Sequence, residues 1–429
     1  MNNKRSTFDY KWIIVILCFL MIFTCLGFCS SNKGLYVSAI TEALGIKRSL
    51  YSINDSCRYV ATAVVNLFFG TLVSRYGTKK LIAAGFLCLF LSSLTYSYAN
   101  NIFAFYVGGC LLGIGLSWTT TTMVGCVVNK WCKENRGTIM GIILASNGIG
   151  GALAAQIISP LIYEEGNAFG YRNAYLLTTG LIAVVGVLIL IFFRESPKGH
   201  VDEGPVVQKK KARGTGWVGM EYNEAKKKPY FYAAAVCIFL TGMVLQGTSG
   251  ISAAHYKDVG VDTDYIATVV SVSSLVLTVS KFMAGFLYDR FGLRVTVTIC
   301  AFASVLETAM IAFVSSSPTG MALAMIRGIL GSIALPLETI MLPIYASDFF
   351  GEKSYNKILG LFVSINTAGY ALGTPIVNVC FDITGSYVPA VIAGSILMAI
   401  VLILLQFVIT AANQQRRIIL ENESSSAQK

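Results

Sequence analysis

Lys33, Asp55, Arg58, Lys281, Glu307, Arg327 and Glu338 all lie inside long apolar stretches of this 429-residue chain. A charged group at the centre of a bilayer costs about 2.5–3.5 kcal/mol on insertion scales. Each therefore needs a partner or a watery cavity, and each is a candidate for ion binding or proton chemistry. Lys281 has no acidic residue three or four positions away. Its ammonium either binds an anion, pairs with another helix, or snorkels to the near interface. Lys33 carries Tyr36 one turn on, on the same helix face. Together they offer a carboxylate an ammonium and a hydroxyl, or else Lys33 anchors the outer interface. Asp55 and Arg58 have the spacing of an intrahelical pair; the alternative is an Asp55 that frees Arg58 when protonated. Glu307 and Arg327 each fall about 10–12 Å from the same surface at 1.5 Å per residue, so neighbouring antiparallel helices can pair them. Glu338 stands eleven residues beyond Arg327, close to three turns, between Pro336 and Pro343. It is the first candidate for proton coupling.

Other chemistries find no support. The chain has no G-x-x-x-x-G-K-[ST] phosphate cradle. It has only two histidines, His200 and His255, no C-x-x-C pair among its 11 cysteines, and no nucleophile–base constellation. The expectation is no enzyme, no cofactor, no metal and no disulfide. Any work done must draw on ion or solute gradients.

The elements that position these residues follow from composition. Hydrophobic residues make up 55% of the chain and charged residues 13%, where a soluble domain carries about 25% charged. Mean hydropathy is +0.66. The fold class is an all-α polytopic membrane protein. Apolar runs of about 20 residues predict twelve transmembrane helices at 11–38, 49–73, 80–98, 102–129, 137–163, 173–194, 230–257, 264–288, 294–314, 319–346, 356–381 and 387–410. The first run is too long for a cleaved leader and is read as a retained span. The organisation is an N-terminal six-helix half (1–194), a basic linker (195–229) with Lys209, Lys210, Lys211 and Arg213, a C-terminal six-helix half (230–410) and a tail (411–429). Of the 33 Lys and Arg, 25 fall on the side of the termini and linker, 4 on the opposite side and 4 within spans. That bias places both termini in the cytoplasm. The net charge of +11 is thus topology rather than an affinity for nucleic acid.

The halves repeat. Gly70, Arg75 and Gly77, in G-T-L-V-S-R-Y-G-T-K-K, map onto Gly285, Arg290 and Gly292, in G-F-L-Y-D-R-F-G-L-R-V, with one offset, 285 − 70 = 215. Gly45 maps onto Gly260 with the same offset, and Trp131-Cys132 onto Phe350-Gly351 with 219. Parallel repeats of this kind put a transport site between the halves. The loop glycines let helices approach closely, and Arg75 or Arg290 at a helix end can clamp onto carbonyls or a carboxylate of a neighbour. Gly109–Gly113, Gly137–Gly141 and Gly369–Gly373 read as packing seams. The run Asn147 to Gly151 reads as a soft point in the fifth span, and Gln156 and Gln246 as cavity lining.

The twin loops, the 6+6 layout and the basic linker resemble the major facilitator superfamily across the whole chain. Ser74 replaces the acidic residue of the first loop, while Asp289 keeps it in the second. More narrowly, F-D-I-T-G-S-Y (Phe381 to Tyr387) and K-F-M-A-G (Lys281 to Gly285) resemble the monocarboxylate transporter and oxalate–formate exchanger branch. That resemblance implies that Lys281 holds a substrate carboxylate, and Lys33 resembles a first-span lysine of the monocarboxylate members. The exchanger's second base, within span eleven, is missing; Lys357 lies only at that span's end. A two-pronged grip on a small dicarboxylate is not expected from these positions.

The resulting expectation is a monomeric secondary transporter in the cytoplasmic membrane for small organic anions, chiefly monocarboxylates. Lys281, Lys33, Tyr36 and Arg58 would bind substrate, and protons or a counter-anion would complete the cycle. The alternatives are an efflux carrier for amphipathic compounds and a non-transporting membrane sensor with a transporter fold.

Overall fold

The computed structural model describes residues 10–132, 136–195, 219–351 and 353–427. Most of the expected basic linker, including Lys209, Lys210, Lys211 and Arg213, lies outside the described residues. Every regular element among the described residues is helical. Ten helices are long and apolar enough to cross a bilayer, and the pair Arg48–Leu67 and Phe69–Tyr76, bent by 61°, makes an eleventh. The 49-residue helix Thr263–Ile311 counts twice, because Gly292 interrupts it with φ 80° and ψ 175°. Twelve spans result, as the apolar runs predict.

The repeat is visible in the backbone. Glycines in the left-handed region stand at Gly45 and Gly260 and at Gly77 and Gly292, an offset of 215, and at Gly166 and Gly385, an offset of 219. At Gly77 the positive φ also makes room for a carboxylate: Glu195, at the end of span 6, accepts from the Thr78 backbone N–H at 2.7 Å. An acid from another helix thus sits on the first loop, whose own acidic position is Ser74.

Besides the bend in span 2, three spans are broken, and their breaks set the site. Span 1 runs as an α-helix (Tyr10–Ile22), a π-helical turn (Phe23–Phe28) and a second α-helix (Lys33–Leu44). It reaches further than the expected end at residue 38. Asn32 holds the break open: its amide donates to the Gly27 carbonyl at 3.1 Å and to the Gly151 carbonyl at 3.2 Å. Carbonyls released from a helix need such partners in a membrane. Span 4 breaks at Thr120, between Ile102–Thr119 and Thr121–Trp131. Span 10 breaks at Leu335, after Pro318–Ala334, where Pro336 removes a backbone donor. The two breaks are repeat mates, since 335 − 120 = 215. Span 5 (Arg136–Ile162) is continuous through the run Asn147 to Gly151 in this arrangement. Its glycines are seams: Gly150 packs on Phe23 and Gly27, Gly148 on Thr278, and Gly151 on Ser31 and Ser274.

The two halves meet across spans 1, 2 and 5 on one side and 7, 8 and 11 on the other. On the face opposite the termini, Arg48 forks onto Asp258, with Nη2 to Oδ1 at 2.7 Å, and donates to the Tyr387 hydroxyl at 3.1 Å. The Ser49 N–H donates to Asp382 at 3.0 Å, and Lys257 pairs with Glu42 at 2.8 Å. At mid-depth Gln156 donates to Ser271 at 3.0 Å and Ser271 to the Ala152 carbonyl at 2.8 Å. Toward the face of the termini, Gly70, Gly285, Gly292 and Gly360 border open space. The close helix approach expected at Gly70 and Gly285 is absent in this arrangement.

Candidate functional site

A cavity of about 1050 Å³ lies between the halves. The break in span 1 contributes Ser30, Ser31, Asn32 and Lys33 to its wall, span 2 contributes Arg58 and Tyr59, and span 10 contributes Arg327 and Leu335. Among the described residues three cations therefore line the cavity, and no carboxylate does. The N-terminus of Lys33–Leu44 opens beside it, and a helix N-terminus carries a partial positive charge.

The cations are held by acids set behind the wall. Asp55 accepts from Lys33 Nζ at 2.5 Å and lies 3.7 Å from Arg58 Nε. One carboxylate thus serves two cations. Arg58 also donates to the Ser30 hydroxyl at 3.0 Å and stacks 4.1 Å above the Tyr59 ring. From the other half, Arg327 Nε meets Glu307 Oε2 at 2.9 Å. Glu307 Oε1 accepts from Thr248 at 3.2 Å and from Thr308 at 3.1 Å. Thr248 is the repeat mate of Lys33 (248 − 33 = 215), so one helix position serves a cation in one half and an anion in the other. Two carboxylates against three cations leave one positive charge in excess. That excess, with hydroxyls of Ser249, Ser273 and Ser274 on the wall, suits an anion.

Tyr36 points elsewhere. It is buried, stacks on Tyr175 at 4.2 Å, and lines a side cavity of about 740 Å³ with Tyr51, Tyr96 and Tyr175. Lys33 borders both cavities. Lys281 does not line the central cavity; it sits one turn beyond Leu277, which does, toward the face of the termini. Among the described residues it has no ion-pair partner within 4.0 Å. Glu338 is 4% exposed and lies outside the central cavity. Arg75, Asp289 and Arg290 are exposed, with the two arginines over the neighbouring Tyr76 and Phe291 rings at 5.5 Å. Among the described residues they make no clamp between helices in this arrangement.

Arg327 was legible only as a partner for Glu307; its place on the wall follows from how span 10 packs against the cavity. Gln246 lines the cavity, whereas Gln156 bonds across the half interface. The lock around Arg48 was not foreseen, although Asp382 and Tyr387 stand in the F-D-I-T-G-S-Y segment itself.

The family model described as Major Facilitator Superfamily matches residues 12–262 and 234–426. Over 337 residues the chain is 25% identical to monocarboxylate transporter 13 of Bos taurus, covering 76% of this chain and 73% of that one. It is 21% identical over 352 residues to the sialic acid transporter NanX of Escherichia coli, covering 78% and 79%. The crystal structure of the nucleoside transporter NupG superposes with a TM-score of 0.71 at 17% identity, over 94% of this chain and 99% of that one. That last likeness concerns the fold alone.

Proposed function

We propose that this chain, which belongs to the major facilitator superfamily, carries small organic anions across the cytoplasmic membrane. Secondary transport is the family's activity, and the chain is a multi-pass membrane protein rather than an enzyme. The observation that carries the choice of cargo is the central wall of Lys33, Arg58 and Arg327 without a facing carboxylate. Two relatives transport acids by name, a monocarboxylate and sialic acid. In this reading Lys33 and Arg58 take the carboxylate from one half and Arg327 from the other. A two-sided grip arises with span ten as the second prong, in place of span eleven. Anion binding draws the halves together on charges that each half holds separately. Only a ligand that binds one state better can shift the balance between states. Lys281, one turn along span 8, receives the anion on its way out of the cavity.

The face of the termini is the cytoplasmic one by its basic residues. The arrangement described is then closed to the outside by Arg48, Asp258, Asp382 and Tyr387 and open to the inside. The halves 1–194 and 230–410 rock as units about the site, and the carrier works as a monomer, coupled to protons or to exchange.

The test is counterflow of labelled carboxylates (formate, acetate, lactate, oxalate, sialic acid, benzoate) in proteoliposomes. A charge-assisted hydrogen bond contributes about 1.5–3 kcal/mol, so Arg58→Gln and Arg327→Gln should each lower counterflow by about tenfold or more. Unchanged flux in both would remove the anion reading. The tyrosine-lined side cavity favours a second reading, efflux of amphipathic compounds. In that case neutral cargo would move, indifferent to both substitutions.

A further inference from the structure

The C-terminal half holds a second polar site that the anion cavity does not use. Glu338, Tyr345 and Asn366 line a small cavity of about 200 Å³ together with Thr241, between aliphatic walls that include Ile238, Leu337 and Leu405. Glu338 is 4% exposed, Tyr345 2% and Asn366 3%. Each carries a buried oxygen without a hydrogen-bond partner within 3.5 Å among the described residues, Glu338 Oε2, Tyr345 Oη and Asn366 Oδ1, and the Tyr370 hydroxyl is the group that approaches both Glu338 and Asn366. A buried polar atom left unpaired costs about 1–3 kcal/mol, and three of them sharing one cavity is not a packing accident.

The N-terminal half supplies an internal control. Asn54 packs against Gly109 as Asn366 packs against Gly242, with the amide oxygen beside the glycine in both cases. There Asn54 Oδ1 accepts from the Tyr96 hydroxyl at 2.8 Å. In the C-terminal half the hydroxyl that approaches Asn366 is that of Tyr370, which Glu338 shares, so one donor stands against two buried acceptors.

We infer that Glu338, Asn366 and Tyr345 form the binding site of a small monovalent cation, sodium or hydronium, that drives anion movement; this rests on the transport reading above. Beside the Cys237 thiol, Thr241, Glu338, Tyr345 and Asn366 bring oxygens to the cavity wall, the ligands that hard cations take, and the carboxylate supplies the neutralising charge. The site lies beside the break in span 10, where discontinuous helices of transporters commonly hold coupling ions. Glu338 is faced by Lys281 from span 8, Tyr370 from span 11, Tyr59 from span 2 and Glu307 from span 9, the last matched by Arg327. Lys281, without an ion-pair partner of its own, is the internal counter-charge that takes the cation's place when it leaves. The Tyr59 and Tyr370 rings meet at 5.3 Å across the half interface, and Tyr59 lies under Arg58. Two rings thus join the cation site to the anion wall, at a contact that breaks when the halves separate.

The test uses the full chain in proteoliposomes and compares two rates, counterflow of a transported anion and its accumulation under an imposed gradient. One arm imposes a pH gradient and the other a sodium gradient, which tells hydronium from sodium. Glu338→Gln should lower the ratio of accumulation to counterflow by at least about tenfold, and Asn366→Leu and Tyr345→Phe should lower it in the same direction. An unchanged ratio in Glu338→Gln and Tyr345→Phe would overturn the site and leave a bridging water as its content. A wild type that exchanges no anion would sink the transport reading instead. The cation site is then decided by melting of the purified chain in sodium chloride against choline chloride, and across pH. A stabilisation present in the wild type and lost in Glu338→Gln upholds it. A stabilisation equal in both, or absent from the wild type, overturns it.

Discussion

Glu307 is held from three sides, by Arg327, Thr248 and Thr308, and is 1% exposed. Removing one member of a buried ion pair leaves the other charge uncompensated, which costs about 3–5 kcal/mol. Glu307→Gln should therefore lower the melting temperature markedly in detergent. Adding Arg327→Met to it should restore most of the loss while abolishing anion flux, because the cation on the wall goes too. Recovery of stability together with flux would show that Arg327 serves only structure. From sequence the pair could be placed by counting residues from one surface, since rise per residue is fixed. Which way Arg327 leans could not, because the face that span 10 turns to the cavity is decided by how the helices pack. For the same reason sequence reasoning puts Lys281 at the substrate. It has no acidic residue three or four positions away, yet it lies a turn below the cavity that Lys33, Arg58 and Arg327 share.

At the scale of elements, the twelve spans were legible because apolar runs and charge bias report directly on the bilayer. The breaks were only half legible. Pro336 announces the one in span 10, since proline lacks the donor a helix needs. Nothing in F-T-C-L-G-F announces a π-helical turn; its cause is tertiary, the close approach of Gly27 to Gly150 and the two carbonyls that Asn32 collects. Asn32→Leu should cost about 1–3 kcal/mol by leaving those carbonyls unpaired. It should also lower anion affinity, because Lys33 is the next residue. A variant with wild-type melting and wild-type affinity would mean that the break is set by the glycines alone. The twin loops were legible to the residue as a repeat, through Gly77 and Gly292. Their expected clamp was not found, and Glu195 holds the first loop instead.

In the proposed transport cycle the whole molecule passes between two arrangements, and Arg48 with Asp258 would weight the balance between them. The pair is bidentate and joins the halves on one face only, so its loss should free that face to open. Arg48→Asp and Asp258→Arg should each raise the reactivity of a cysteine introduced at Gly34, on the cavity wall against Gly250, toward an impermeant thiol reagent added outside. The double exchange should reverse the effect by about 1.5–3 kcal/mol of recovered pairing. Equal reactivity in the single and double variants would show that the lock does not control access. Composition and repeat symmetry gave the two-half plan. The lock was not legible, because residues 48 and 258 meet only once the halves are packed.

The central claim is that the cavity selects a negative charge, and matched ligands test it most directly. The purified chain would be melted with lactate against lactamide and benzoate against benzamide, pairs that differ in charge and little in shape. A ligand at a hundred times its dissociation constant stabilises by about 2.7 kcal/mol. The account predicts that at least one carboxylate raises the melting temperature where its amide does not, and that Arg58→Gln and Arg327→Gln remove the shift. Equal shifts from acid and amide, or shifts that survive both substitutions, would contradict it.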